Sequence, residues 1–269
     1  MTNLLRAHFA RLVKSKLYWL CLVIAYILGT AFCNSALGSW NQGWGGASLW
    51  GEPLCGFGLV CGILSAALFS LFFGVEYAEG ALRNKLIAGH SRTGVYLSAL
   101  VVSVAAAMLL YLVSWANMLT RLHGMRQIPF PEAGPLAMAM VGTVLMIVAV
   151  ASICTLGCML IRQRAVLAVA LILIMVAIFA VSLQVEDRYV TVTASAMEMY
   201  MGPNGPEYIW HEGQQAGPML QFLYDFLPVN QAYRYMALEA TPVMLIYSAL
   251  LTAVTTAAGL FCFRRKNIT

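Results

Sequence analysis

Six stretches of this chain, residues 17–37, 54–75, 95–117, 135–161, 165–185 and 240–263, contain no Asp, Glu, Lys, Arg or His. Each is long enough to cross a bilayer core of roughly 30 Å, which takes about 20 helical residues. Hydrocarbon leaves backbone polar groups no partner but the protein itself, so a continuous apolar run of this length is a helix; a barrel strand would alternate over about ten residues. The expected fold is therefore an all-α polytopic membrane protein with six transmembrane helices. Composition agrees, with 61% hydrophobic and 10% charged residues, against about 25% charged in soluble domains. The first run follows Arg6, Arg11, Lys14 and Lys16, as a secretory signal would, but it exceeds the roughly 7–15 residues of a signal core and reads as a span.

With the N-terminus in the cytoplasm, 12 of the 16 Lys and Arg residues fall in cytoplasmic segments, leaving Arg121, Arg126, Arg188 and Arg234 outside. The positive-inside rule then puts both termini in the cytoplasm of a multi-pass cell-membrane protein. Residues 1–16 form an interfacial amphipathic helix anchored by Leu5, Phe9, Leu12 and Val13, with basic residues mostly on its other face. Spans one to five occupy 17–185, an extracytoplasmic segment 186–239, the sixth span 240–263, and a basic tail 264–269.

The segment 186–239 holds seven acids and two cations besides Pro203, Pro206, Pro218 and Pro228, too polar to span. It is expected to form a small cap, strand-like over VEDRYVTVTAS and helical in pieces broken at Pro228. Trp40, Trp44 and Trp50 in the first outer loop suit the membrane surface, and Gly58 with Gly62 permits close helix approach in span two. Of seven cysteines, Cys33 and Cys55 lie near the outer face, where a disulfide is open to them, while Cys154 and Cys158 read as packing residues because no His or carboxylate stands by to complete a metal site.

Several chemistries are missing. No lysine follows a glycine, so the chain has no phosphate-binding loop with which to hydrolyse ATP. The spans carry no ionisable group to couple protons or ions to transport, which weakens an ion-driven mechanism without excluding one that uses neutral oxygens. His211-Glu212 has no second His at zinc-ligand spacing, and the pair Glu76 and Glu79 is not matched by histidines in any span. The chain is expected not to be an enzyme, to carry no cofactor or metal, and to bind no nucleic acid.

Between spans two and three the chain reads GVEYAEGALRNKLIAGHSR, residues 74–92. A solvated turn is one reading. The pattern supports a short amphipathic helix over 79–88: good helix formers, an acid first and cations later, and Leu82 with Leu86 on one face while Arg83 and Lys85 point away. Gly89 ends it and Ser91 or Thr93 caps the next span. Glu76 and Glu79 are placed to pair with nearby cations or to be solvated at the helix end.

Glu79-Gly80-Ala81-Leu82-Arg83-Asn84-Lys85-Leu86, with Ser91-Arg92 and Tyr96-Leu97-Ser98, resembles the Glu-x-Gly-Thr-Leu...Ser-Arg signature of permease subunits of type-2 ATP-binding-cassette exporters. Ala81 stands where Thr is commoner and His90 where many members have Pro. The motif covers about twenty residues; the six spans, amphipathic start and outer segment between spans five and six are similar to that family's layout. The resemblance implies a coupling helix at 79–88, docking through Glu79, Gly80, Leu82, Arg83, Asn84, Lys85 and Leu86 onto a cytoplasmic ATP-binding subunit, present in two copies that hold ATP and Mg. It also implies a second permease subunit, identical or related, a bacterial-type membrane, and export of an amphipathic or hydrophobic peptide, lipid or drug. A membrane-anchored sensor or scaffold and an ion-driven secondary transporter are the competing expectations.

Overall fold

The computed structural model describes residues 2–78, 80–161, 163–202, 205–211 and 213–265. A basic helix α1, Thr2–Lys14, meets the first long helix α2, Lys16–Asn41, at an extended Ser15. A short turn at Ala47–Trp50 and α3, Gly51–Cys55, lead into α4, Phe57–Ala78. The short α5, Ala81–Ile87, precedes α6, Arg92–Thr120, the one-turn α7, Leu122–Met125, and α8, Ala133–Leu160. Helix α9, Arg164–Thr193, is followed by the antiparallel hairpin β1, Ala196–Gly202, and β2, Gly205–His211, paired from Ala196 with His211 to Gly202 with Gly205. Helices α10, Pro218–Phe226, α11, Pro228–Met236, and α12, Pro242–Arg265, complete the chain.

Among the described residues, six helical segments, Lys16–Asn41, Ser48–Glu76, Arg92–Thr120, Ala133–Leu160, Arg164–Thr193 and Pro242–Arg265, are long and apolar enough to cross a membrane. The protein is an all-α polytopic membrane bundle, joined among the described residues by one small hairpin. Helix α8 lies at its centre, packed against α4, α6, α11 and α12. Its buried positions include Ala139, Gly142, Ala149, Ala151, Cys154 and Cys158. Lipid offers apolar side chains as good a home as protein does, so small residues that let backbones approach are what draws such helices together. The large apolar side chains of α9 and α12, among them Val169, Leu173, Ile246 and Leu250, point away from the bundle, as lipid-facing surfaces do. All seven cysteines are free thiols, Cys33 and Cys55 included, and six are buried.

The strand expected over 185–195 is instead the last two turns of α9. Nothing in it interrupts a helix already formed: the Thr191 and Thr193 hydroxyls donate back to the Asp187 and Tyr189 carbonyls at 2.7 Å, and Tyr189 stacks on Tyr224 of α10 at 3.7 Å. β-Branched alternation is a weak preference that such packing overrides. The expected break at Pro228 is present, with Pro218 and Pro228 each in the first turn of its helix, where the missing N–H costs nothing.

Candidate functional site

Helix α5 is delimited by two glycines. Gly80 takes a left-handed conformation, φ 65°, as N-cap, and its carbonyl accepts the Asn84 amide at 3.1 Å. Gly89, φ 84°, follows the C-cap Ala88; a side chain would be strained at either position. Ser91 then accepts the Gly94 amide at 3.1 Å and starts α6. The helix is therefore a seven-residue rung held between the ends of α4 and α6.

The residues expected to dock divide between two faces. Arg83 and Asn84 are exposed. Ile87, outside the expected set, is 73% exposed and forms the apolar part of the same surface. Leu86 packs partly against the core. Lys85, expected to point away from the leucine stripe, turns inward. Gly80, expected inside a helix over 79–88, is instead its left-handed N-cap, so the helix runs Ala81–Ile87; Leu82 lies in its first turn, and Glu79 lies outside the described residues.

Lys85 turns inward because a buried carboxylate waits for it. Glu76, in the last turn of α4, is 1% exposed. Its Oε2 accepts from Lys85 Nζ at 2.8 Å and its Oε1 from an Arg11 guanidinium nitrogen at 2.6 Å. His8 is equally buried; its Nδ1 stands 3.2 Å from Glu76 Oε1, outside hydrogen-bonding alignment, so that contact is electrostatic. His8 Nε2 lies 3.1 Å from the Lys85 ammonium, which has only protons to give, so Nε2 is the acceptor. Phe73 meets the His8 ring edge to face and Arg11 lies over the Phe72 ring at 5.5 Å. Burial pushes the pKa of Lys85 below the ordinary lysine value and the Arg11 charge adds to that, while Glu76 opposes it.

This cluster also settles how α1 sits. The innermost residues of α1 are Leu4, His8 and Leu12, spaced four apart, with Arg11 beside them. Of the expected anchors, Leu12 is fully buried, Leu5 and Phe9 pack partly on the core, and Val13 is 58% exposed. The helix rolls toward His8 and Arg11 because both meet Glu76. One carboxylate thereby joins α1, α4 and α5.

A second polar network lies at the opposite end of the bundle. Helix α11 is wedged among α3, α4, α8, α9 and α10, with Asn230, Gln231 and Tyr235 essentially inaccessible. Asn230 donates to the Ser182 carbonyl at 3.1 Å and to Glu186 at 3.2 Å, both on α9. Gln231 donates to the Asp225 carbonyl at 2.8 Å and accepts from Ser248 of α12 at 2.7 Å. Arg234 pairs with Asp225 at 2.7 Å. The sequence pointed to the 79–88 segment, Glu76 and the N-terminal helix at the other end; this network it did not single out, although Asn and Gln inside a strongly amphipathic nine-residue helix are a signal for it. The sequence matches no family model, and comparison with curated proteins finds no match.

Proposed function

We propose that the chain is the transmembrane permease subunit of an ATP-binding-cassette exporter of the type-2 class, with α5 as its coupling helix and ATP hydrolysed on a separate subunit. The observation that carries this reading is the tie between Lys85 and Glu76, which makes α5 a lever rather than a loose loop. Its exposed face, Arg83, Asn84 and Ile87, is the docking surface for a cytoplasmic ATP-binding subunit. A helix presented this way fits a groove on a soluble partner and converts its movement into rigid-body tilting. The excess of Lys and Arg at this end supports its cytoplasmic placement and that of both termini. The working assembly holds two such ATP-binding subunits and a second permease, and its cargo is amphipathic or hydrophobic.

The test is a mild-detergent pull-down of the tagged chain from its native membranes, with partners identified by mass and ATP hydrolysis assayed. Recovery of a subunit bearing a phosphate-binding loop is expected, and its loss in Arg83→Glu/Ile87→Asp. A preparation without such a subunit, or one unaffected by that double substitution, overturns the reading.

A further inference from the structure

We propose that the corner between α1, α4 and α9 binds the headgroup of an anionic phospholipid. A cavity of about 530 Å³ opens there. Arg11, Lys14 and Arg164 line it together with Leu17, Leu71 and Phe72, so three cations from two separate helices share one recess with an apolar floor. No carboxylate among the described residues lies within ion-pair distance of Lys14 or Arg164. Arg11 gives one guanidinium nitrogen to Glu76 and keeps further donors for the cavity. Lys14 and Arg164 thus carry like charge with no carboxylate beside them, an arrangement that repels, and an anion seated among them removes that cost.

The backbone is arranged for this. A Cβ added to Gly74 would come within 2.9 Å of Arg164 Cγ, so the bare glycine is what lets the Arg164 side chain lie across α4. Ser15, at the extended break between α1 and α2, is also on the cavity wall. The height of the site decides the source of the phosphate. It lies where spans begin at Lys16 and Arg164 and end at Glu76, which is the headgroup level of one leaflet. Basic pockets between helices at this level hold anionic headgroups, and the leucine and phenylalanine floor continues toward the acyl chains. A free phosphate ion would use the cations and leave that floor wet. The site is independent of the exporter reading, since it needs only the membrane and not a partner subunit.

The purified full-length chain, titrated in detergent with phosphatidylglycerol or phosphatidylcholine and read by native mass spectrometry, tests the site. Phosphatidylglycerol is expected to be retained at least about tenfold more tightly than phosphatidylcholine. Lys14→Gln/Arg164→Gln should weaken that retention about thirtyfold. Arg6→Gln/Arg265→Gln, which removes equal charge from exposed positions at the same end outside the cavity, should change it less than about threefold, and the charge-conserving Lys14→Arg/Arg164→Lys should keep it. Equal retention of the two lipids by the wild-type chain overturns the proposal whether or not any variant folds. Equal losses in the two Gln pairs would assign the effect to diffuse surface charge, and full displacement by millimolar inorganic phosphate would assign it to a free anion; each of these also overturns it.

Discussion

Replacing Glu76 by Gln keeps the shape of the side chain and removes its charge. The consequences differ among its three partners. Arg11 is 36% exposed and can turn into solvent, so its pairing contributes little. Lys85 is 16% exposed and His8 1%; neither can leave, and the ammonium is left facing a neutral amide and an imidazole. Removing one partner from a buried ion pair costs about 3–5 kcal/mol, and the partial exposure of Lys85 places the expected loss near the lower figure, about 3 kcal/mol. At about 2–4 °C per kcal/mol, the unfolding midpoint of the chain in mild detergent should fall by about 6–12 °C. Lys85→Met should cost a similar amount by stranding the carboxylate. The pair Glu76→Leu/Lys85→Met should recover most of the loss, because apolar groups of similar volume can replace a buried ion pair at little net cost. A double-mutant cycle reads the coupling directly, with more than about 1 kcal/mol expected. If Glu76→Gln shifts the midpoint no more than the exposed Glu132→Gln, or if the cycle closes with no coupling, the carboxylate is not what fastens α5 to the bundle.

The close approach of α3 to α11 makes a second prediction. A Cβ on Gly51 would lie 1.9 Å from the Met236 carbonyl oxygen, whereas one on Gly38 meets nothing within 4 Å. Gly51→Ala should therefore lower the midpoint through about 1–3 kcal/mol of overpacking, and Gly38→Ala, inside α2, should leave it unchanged or raise it; the reverse order would show that α11 does not press on α3. In the native protein a membrane-permeant maleimide should add once, at the exposed Cys262, and Cys262→Ser should abolish that adduct. After unfolding without reductant all seven thiols should label, and a count of five would establish the disulfide between Cys33 and Cys55 that the structure lacks.

The six spans were legible because an uncharged apolar run of this length has one stable form in lipid, and the helices differ from the runs mainly by extending past their ends. The extension is greatest in α9, where Glu186, Asp187 and Arg188 end the apolar run but not the helix. The start of α5 was misplaced at 79, since Gly80 turns left-handed and the helix begins at Ala81, but its end was legible from Gly89, since few other residues accept the left-handed turn. What its side chains do was not. Local spacing put Lys85 on the outer face, and only the distant approach of Glu76 to His8 and Arg11 from α1, 65 residues away for Arg11, reverses it. His8 could have been noticed as the polar member of a Leu4, His8, Leu12 row, but the row through Leu5 and Phe9 is more apolar, and composition alone prefers it. The wedge of α11 was beyond local reading for the same reason: a short polar helix before the last span gives no sign of which larger helices will enclose it.

That wedge has a consequence for biogenesis. Asn230 and Gln231 find their partners on α9 and α12, and α11 itself is enclosed by helices made much earlier, from α3 onward. A segment so short and polar cannot be handed to the lipid as a span in its own right. The earlier helices must therefore stay parted at that end until synthesis has passed Ser248, the residue that completes the Gln231 bonds. A nascent chain halted before Pro228 would already have five helices in the membrane and an open seam between them, which is the state a quality-control protease or an insertase chaperone would meet.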